Sequence, residues 1–275
     1  MTESAIAQEK ANQFRALHIP GKPLVMGNAW DAGSARILQG IGFASIATTS
    51  AGFAMTYGQR DYGVTREQSI AHASTLAKAV DIPVAADLEN GFGTSVEAAV
   101  ATITDALKTP IAGASIEDFS GDPNSPILDI DTSVQRVKAC ADLVSRSENR
   151  LVLTARSEGF LHGVGTVDDI VRRLTAFAEA GADVVFAPGL PSIEAVRTVC
   201  ADVDAPVSVM AYGPLAEYSF EDLASAGVAR VSVGPALFMH AYQSMADAAK
   251  LMLREGTFAT STTNDGEDVA RCMEL

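Results

Sequence analysis

The sequence predicts an α/β fold of the (β/α)8 TIM-barrel kind, and three observations carry that expectation. Eight short apolar segments recur along the 275 residues, with helical patterns between them. These segments are near-continuous runs rather than alternations, as parallel strands covered on both faces require. Glycine-containing joints recur where a helix gives way to a strand, in GIGFASI, AGASI, AGADVV and AGVARVS. Glycine stops a helix by adopting positive φ and leaves little bulk at the joint. An open doubly wound sheet is the competing arrangement, but no GxGxxG follows the first segment and nothing divides the chain into halves.

Taken in order, the expected strands lie at 24–28, 43–48, 83–87, 112–117, 150–155, 183–187, 206–210 and 228–233. Helices are expected between them; Ile70, Ala73, Leu76 and Val80, for example, fall on one helix face. Capping-box spacing marks helix starts at Thr65–Gln68, Thr94–Glu97, Thr132–Gln135, Thr166–Asp169 and Ser219–Asp222. Two connections are too long for plain turns: SAGFAMTYGQRDYG (50–63) and DFSGDPNSPILD (118–129). Both follow strands, which places them on the C-terminal face where barrel active sites form. The second, rich in Gly, Pro, Ser and Asn, is expected to act as a lid. One domain is expected to span 1–275, with 256–275 a polar tail that is mobile or lies on a partner subunit.

Composition narrows the function. Hydrophobic residues make up 48% and charged residues 20%, a globular balance. A net charge of −14 argues against nucleic acid or an anionic membrane as partner. Cys140, Cys200 and Cys272 form no CxxC pair, which suits reduced thiols in a cytosol. The N-terminus lacks a basic start followed by an apolar run, and no apolar stretch reaches the ~20 residues of a membrane span. A cytoplasmic location is expected.

Acidic residues gather where the strands end. Asp87 ends the third strand and Glu89 follows in ADLENGFG; Glu117 ends the fourth; Asp61 lies in the loop after the second. In a barrel these positions converge on one axial pocket, where carboxylates repel one another unless a cation is shared. Hard oxygen donors with room for water suit Mg2+, with Mn2+ as the alternative ion. Asp118 and Glu158 belong to the same region, but each has an equally good reading as a helix cap or a local ion pair.

Arg156 ends the fifth strand and has two readings of equal weight: bidentate grip on a substrate carboxylate or phosphonate, or an ion pair with Glu158 or Glu117. Thr49, Ser50, Ala51 and Gly52, small and polar after the second strand, either bind an anionic oxygen or make a tight turn. Trp30 is read as a packing residue, His162 as a loop residue, and Tyr212 as a candidate pocket hydroxyl. Every lysine falls on a helix or connection, which weighs against Schiff-base aldolase chemistry, and no GxSxG occurs.

The order NAWDAGSARIL, TTSAG, GQRD, ADLENGFG, SIEDF, TARSEGFL and AGADVVFAPG resembles the isocitrate lyase/phosphoenolpyruvate mutase superfamily from about Leu24 through the last helix. The resemblance implies a (β/α)8 barrel, commonly a homotetramer whose eighth helix is exchanged between neighbours. It implies magnesium held directly by Asp87, with Asp61, Glu89 and Glu117 acting largely through water. Thr49, Ser50, Ala51 and Gly52 would take the substrate's carboxylate and oxo oxygens, and Arg156 would match the substrate-binding arginine. The lyase lid motif K-[KR]-C-G-H is replaced here by SGDPNSPILD, without cysteine. Asn124 and Ser125 match the lid asparagine region of the mutases, whereas Pro188 stands where those enzymes carry histidine.

The expected function is therefore a Mg2+-dependent lyase or decarboxylase acting on a small 2-oxo or 2-hydroxy carboxylic acid through a metal-stabilised enolate. It resembles the branch that includes oxaloacetate decarboxylases. Arg156, Asp61 and Tyr212 are the candidate catalytic residues, Tyr212 or a metal-bound water delivering the final proton. A phosphonopyruvate or phosphoenolpyruvate C–P mutase or hydrolase is the second reading, and a non-catalytic 2-oxo acid binder the third.

Overall fold

The computed structural model describes residues 3–258 and 266–274. Eight strands carry the barrel: β1 (Leu24–Ala29), β2 (Ile46–Thr48), β3 (Val84–Asp87), β4 (Gly113–Glu117), β5 (Val152–Arg156), β6 (Val184–Phe186), β7 (Val207–Met210) and β8 (Arg230–Ser232). Every neighbouring pair is parallel, and β8 closes on β1 through Leu24↔Arg230, Val25↔Val231 and Met26↔Ser232. The expected (β/α)8 barrel is thus present.

The helices are α1 (Glu3–Ala16), α2 (Ala32–Gly40), α3 (Ser50–Thr56), α4 (Arg66–Ala79), α5 (Val96–Ala106) and α6 (Ile130–Ser145). They continue with α7 (Val167–Glu179), α8 (Ile193–Asp202), α9 (Phe220–Ser225), α10 (Ala236–Glu255) and α11 (Glu267–Cys272). Capping boxes occur at Thr65–Gln68, Thr166–Asp169 and Ser219–Asp222, as their spacing predicts. Two expected helix starts are displaced. Ser95, not Thr94, caps α5, and Asp129, not Thr132, caps α6; the Asp129 carboxylate takes both the backbone N–H and the hydroxyl of Thr132. A further box, Asp31–Ser34, opens α2. The second strand is shorter than 43–48 because Ser45 turns its hydroxyl into a hydrogen bond with Pro83 O at 2.9 Å, and pairing begins at Ile46.

Two apolar belts lie between barrel and helices, one built around Leu38, Leu76, Ile103 and Leu153, the other around Ile170, Phe177, Val196 and Val209. Inside, the N-terminal end of the barrel is closed by Phe14 of α1 against Leu24, Met26, Ala85, Val152 and Val184. Gly113 makes room for that ring: a Cβ there would sit 2.6 Å from Phe14 Cε1. Plugged at that end, the barrel interior opens at the C-terminal mouth. After α10, α11 packs against α2, and Arg36 Nη1 donates to Met273 O at 2.6 Å. The tail's described end therefore lies on its own barrel, while 259–265 fall outside the described residues.

Phe14 is fully buried. Phe14→Ala is expected to lower unfolding free energy by about 3–5 kcal/mol, the cost of a large aromatic cavity, in urea denaturation followed by circular dichroism.

Candidate active site

Strand alternation decides which side chains face the barrel axis. Ala85 and Asp87 of β3, Thr154 and Arg156 of β5, and Arg230 and Ser232 of β8 all line a cavity of about 230 Å³ that opens at the C-terminal mouth. Asp87 is fixed from several sides. Its N–H donates to Thr48 Oγ1 at 2.8 Å, and its carboxylate accepts from Glu89 N–H at 3.2 Å and from Ser50 Oγ at 3.3 Å. Ser50 is held there because Thr49 caps α3, its hydroxyl accepting from Gly52 N–H at 3.2 Å.

Around Asp87 the acids crowd. Arg156 lies 3.5 Å from Asp87 and 3.4 Å from Glu117, and its Nε donates to Glu158. The guanidinium also sits over the Phe186 ring, 5.0 Å from its centroid. Tyr62 O–H donates to Glu117. Arg156 therefore makes the ion pairs with Glu117 and Glu158 and also lines the cavity. Asp118 proves to be a brace, accepting from Glu158 N–H at 2.8 Å and Ser157 Oγ at 3.0 Å and pairing with Arg173 at 3.2 Å.

One shared guanidinium does not balance this set. Burial, then the neighbouring Glu158 charge, raises Glu117 well above the ordinary carboxylate range. Burial and the charges of Asp87 and Asp61 raise Glu89 to about 8, and burial together with Asp87 raises Asp61. Arg156 is desolvated, yet Glu158, Glu117 and Asp87 hold it protonated beyond its usual range. Glu89 Oε1 is buried without any hydrogen-bond partner. Glu89 itself sits at φ 50 and Phe92 at φ 58, left-handed backbone that non-glycine residues adopt at a cost. That turn is tied down by Arg136, which donates to Asn90 O, and by Thr102 Oγ1, which donates to Gly91 O at 2.7 Å.

Of the residues singled out in sequence, Thr49, Ser50, Ala51, Asp61, Asp87, Arg156 and Tyr212 line the cavity. Gly52 is buried in α3 beside Phe238, and Glu117 stands behind Arg156. Asn124 and Ser125 stay outside, on a hairpin made by Phe119↔Ile127 pairing and by Ser120 N–H donating to Pro126 O at 2.7 Å. Trp30 packs edge-on against Phe238, and His162 stacks on Phe119 in the loop after β5. Among the described residues, no three His, Cys, Asp or Glu side chains form a ready metal-ligand group.

Sequence reasoning missed Tyr62, for which nothing but its place beside Asp61 is a signal. It also missed Arg230, whose signal is plain: a charge within VARVSV, a segment otherwise fit for burial on both faces. Arg230 lies in the cavity floor, its Nε donating to Ser208 Oγ at 2.9 Å and its Nη1 to Thr154 Oγ1 at 3.2 Å. Nη1 also meets His18 Nε2 at 3.3 Å, while His18 Nδ1 lies 2.8 Å from Phe14 O. The carbonyl calls for a proton on Nδ1, so Nε2 is the acceptor and the imidazole is neutral. Burial, then the Arg230 charge, lowers His18 to about 3.

The pattern of the phosphoenolpyruvate phosphomutase family matches residues 14–253. A candidate lyase/mutase from Burkholderia cenocepacia superimposes with a TM-score of 0.93 at 40% identity, covering 98% of each chain. The chain is also 26% identical to a 2-methylisocitrate lyase of Shewanella oneidensis, over 91% of this chain and 88% of the other. It is 26% identical to oxaloacetate decarboxylase 2 of Pseudomonas fluorescens, over 83% of this chain and 76% of that one.

His18 makes stability depend on pH. The unfolded chain takes up its proton near 6.5 and the folded chain only near 3, so the stability it contributes is full above 6.5 and lost as pH falls through that window. Wild type is expected to lose stability relative to His18→Gln by up to about 1.4 kcal/mol per pH unit between those values, read from paired urea titrations.

Proposed function

Since the chain belongs to the phosphoenolpyruvate phosphomutase family, we propose that it is a Mg2+-dependent carbon–carbon lyase or decarboxylase. Its substrate is a small 2-oxo or 2-hydroxy carboxylic acid. The observation that supports this most directly is the charge imbalance at the mouth. Among the described residues Arg156 is the one guanidinium facing Asp87, Glu117 and Glu158, and Glu89 Oε1 is buried without a hydrogen-bond partner. A divalent cation is the group that such a set lacks.

The residues present fit one. The donors are hard carboxylate oxygens, as magnesium prefers, and one of them, Glu89 Oε1, is buried without a hydrogen-bond partner among the described residues, although no three of the acids stand together as a ready-made ligand group there. Asp87 would hold the ion directly, with Asp61, Glu89 and Glu117 acting through water; manganese would be accepted at the same place. When bound, the ion supplies a Lewis acid for the charge that grows on the substrate's oxo oxygen as the adjacent bond breaks.

The rest is work for the chain's own side chains. Ser50 is aimed by its hydrogen bond to Asp87 and orients a substrate oxygen in the same direction, beside Thr49 and Ala51. Arg156, stiffened by three acids and the Phe186 ring, presents a fixed guanidinium edge to the substrate carboxylate. Tyr212, which lines the cavity and is 46% exposed, or a metal-bound water would return a proton to the cleaved product. The tip of the 118–129 lid, beyond the Phe119↔Ile127 bridge, would fold inward while Asp118 stays fixed, bringing Asn124 and Ser125 to the substrate and excluding water.

The same reading makes the chain a homotetramer that exchanges α10. Of that helix only Phe238 is buried, while Leu237, Met239, Tyr242, Met245 and Leu253 stand exposed along it. Free Cys140, Cys200 and Cys272 accord with a cytoplasmic location.

Two outcomes are expected. Asp87→Ala abolishes metal-dependent turnover in a panel of oxaloacetate and related 2-oxo and 2-hydroxy acids, measured as released product; undiminished turnover overturns the assignment. Sedimentation equilibrium gives four times the 28.7 kDa chain mass, and a monomer at assay concentration removes the exchanged helix from the account.

A further inference from the structure

Only two cationic side chains line the cavity among the described residues, Arg156 and Arg230, and they are in opposite electrostatic states. Arg156 is already shared by three carboxylates. Arg230 has none. Its hydrogen bonds go to two hydroxyls and a neutral imidazole, and no carboxylate lies within ion-pair distance of it among the described residues. It is nevertheless only 4% exposed, a full charge in the barrel interior.

A desolvated guanidinium without a counter-ion is costly, and burial lowers its proton affinity to about 9. At neutral pH it remains charged. Nε and Nη1 are bonded to the barrel wall, so Nη2 is the donor left for the cavity that Arg230 lines. His18 cannot discharge it, because its Nδ1 is committed to Phe14 O and its ring stays neutral. Ser115, Thr154 and Ser232 add hydroxyls to the cavity wall.

Strand geometry sets the depth. Thr154 touches the Arg230 guanidinium and stands two residues before Arg156 on β5. At a rise of about 3.3 Å per residue along strands tilted about 36° from the axis, the floor lies about 5 Å below the Arg156 level. That separation is comparable to the reach between the two carboxylates of a short dicarboxylic acid.

We propose that Arg230 anchors a second carboxylate of the substrate, so that the enzyme takes a short dicarboxylic acid lying along the barrel axis. Its reacting end is at Asp87 and Arg156, and its distal carboxylate is on the Arg230 guanidinium. The floor is positive and the mouth acidic, which fixes the direction in which the acid enters. This inference rests on the reading of the mouth as a 2-oxo acid site and adds to it the residue that takes the distal carboxylate.

The test compares 2-oxoglutarate with 2-oxopentanoate, of equal length and differing in the terminal carboxylate. Binding to the full chain with Mg2+ present is read by titration calorimetry. Wild type is expected to bind 2-oxoglutarate about tenfold more tightly or better, the factor one charge-assisted hydrogen bond supplies. Arg230→Met brings the two affinities together by weakening 2-oxoglutarate, and Arg230→Lys restores part of the preference. Should the Met variant fail to fold, Arg230→Gln, which keeps amide donors toward Ser208 and Thr154, carries the comparison. Equal binding of both acids by wild type, or a preference that survives in a folded Met or Gln variant, overturns the anchor alone. Binding of neither acid by wild type overturns the 2-oxo acid reading of the mouth along with it.

Discussion

The organisation of this molecule turns on one guanidinium. Arg156 lies among Asp87, Glu117 and Glu158, three carboxylates delivered by the ends of β3 and β4 and the loop after β5. Separate strand ends of a closed barrel have no choice but to converge, so acids placed there must be compensated or protonated. One arginine compensates in part. The remainder is seen as raised proton affinity in Glu117 and Glu89 and as an unpartnered oxygen on Glu89. The mouth is thus prepared for positive charge before any ligand arrives.

Holding that arrangement needs a rigid surround. The Leu88–Phe92 turn carries two non-glycine residues at positive φ, and it is pinned by Arg136 on Asn90 O and by Thr102 on Gly91 O. Asp118 accepts hydrogen bonds from Ser157 and from Glu158 N–H, and Arg173 of α7 pairs with it from behind. The strain at Glu89 is stored because these contacts over-determine the loop. The result is a side chain with one buried oxygen that no group among the described residues hydrogen-bonds.

The floor of the cavity obeys the opposite rule. Phe14 seals the barrel below, and above it His18, Ser208 and Thr154 solvate Arg230 with neutral groups only. A buried cation at one end and excess carboxylate at the other give the cavity a permanent polarity. Helices and lid merely surround this axis; the strand ends create it.

Much was legible in the sequence. The barrel and the positions of its strands follow from eight apolar segments, because the C-terminal ends of parallel strands meet at one mouth; Asp87 and Glu117 end two of those strands, and Asp61 and Glu89 in the following loops come near enough to feel the Asp87 charge. Three of the five expected capping boxes are present. The other two starts moved because Ser95 and Asp129 offer equally good cap oxygens, a competition that spacing cannot decide. What tertiary structure alone decided is partnership. Only the closed register could show that Arg156 serves three acids, that Tyr62 reaches Glu117, that Asn124 and Ser125 stay outside the cavity, and that Arg230 reaches its floor unpaired. Sequence determines which residues a strand end carries; which charges then meet depends on side chains brought together from distant parts of the chain, and their energies depend on burial that no local pattern encodes.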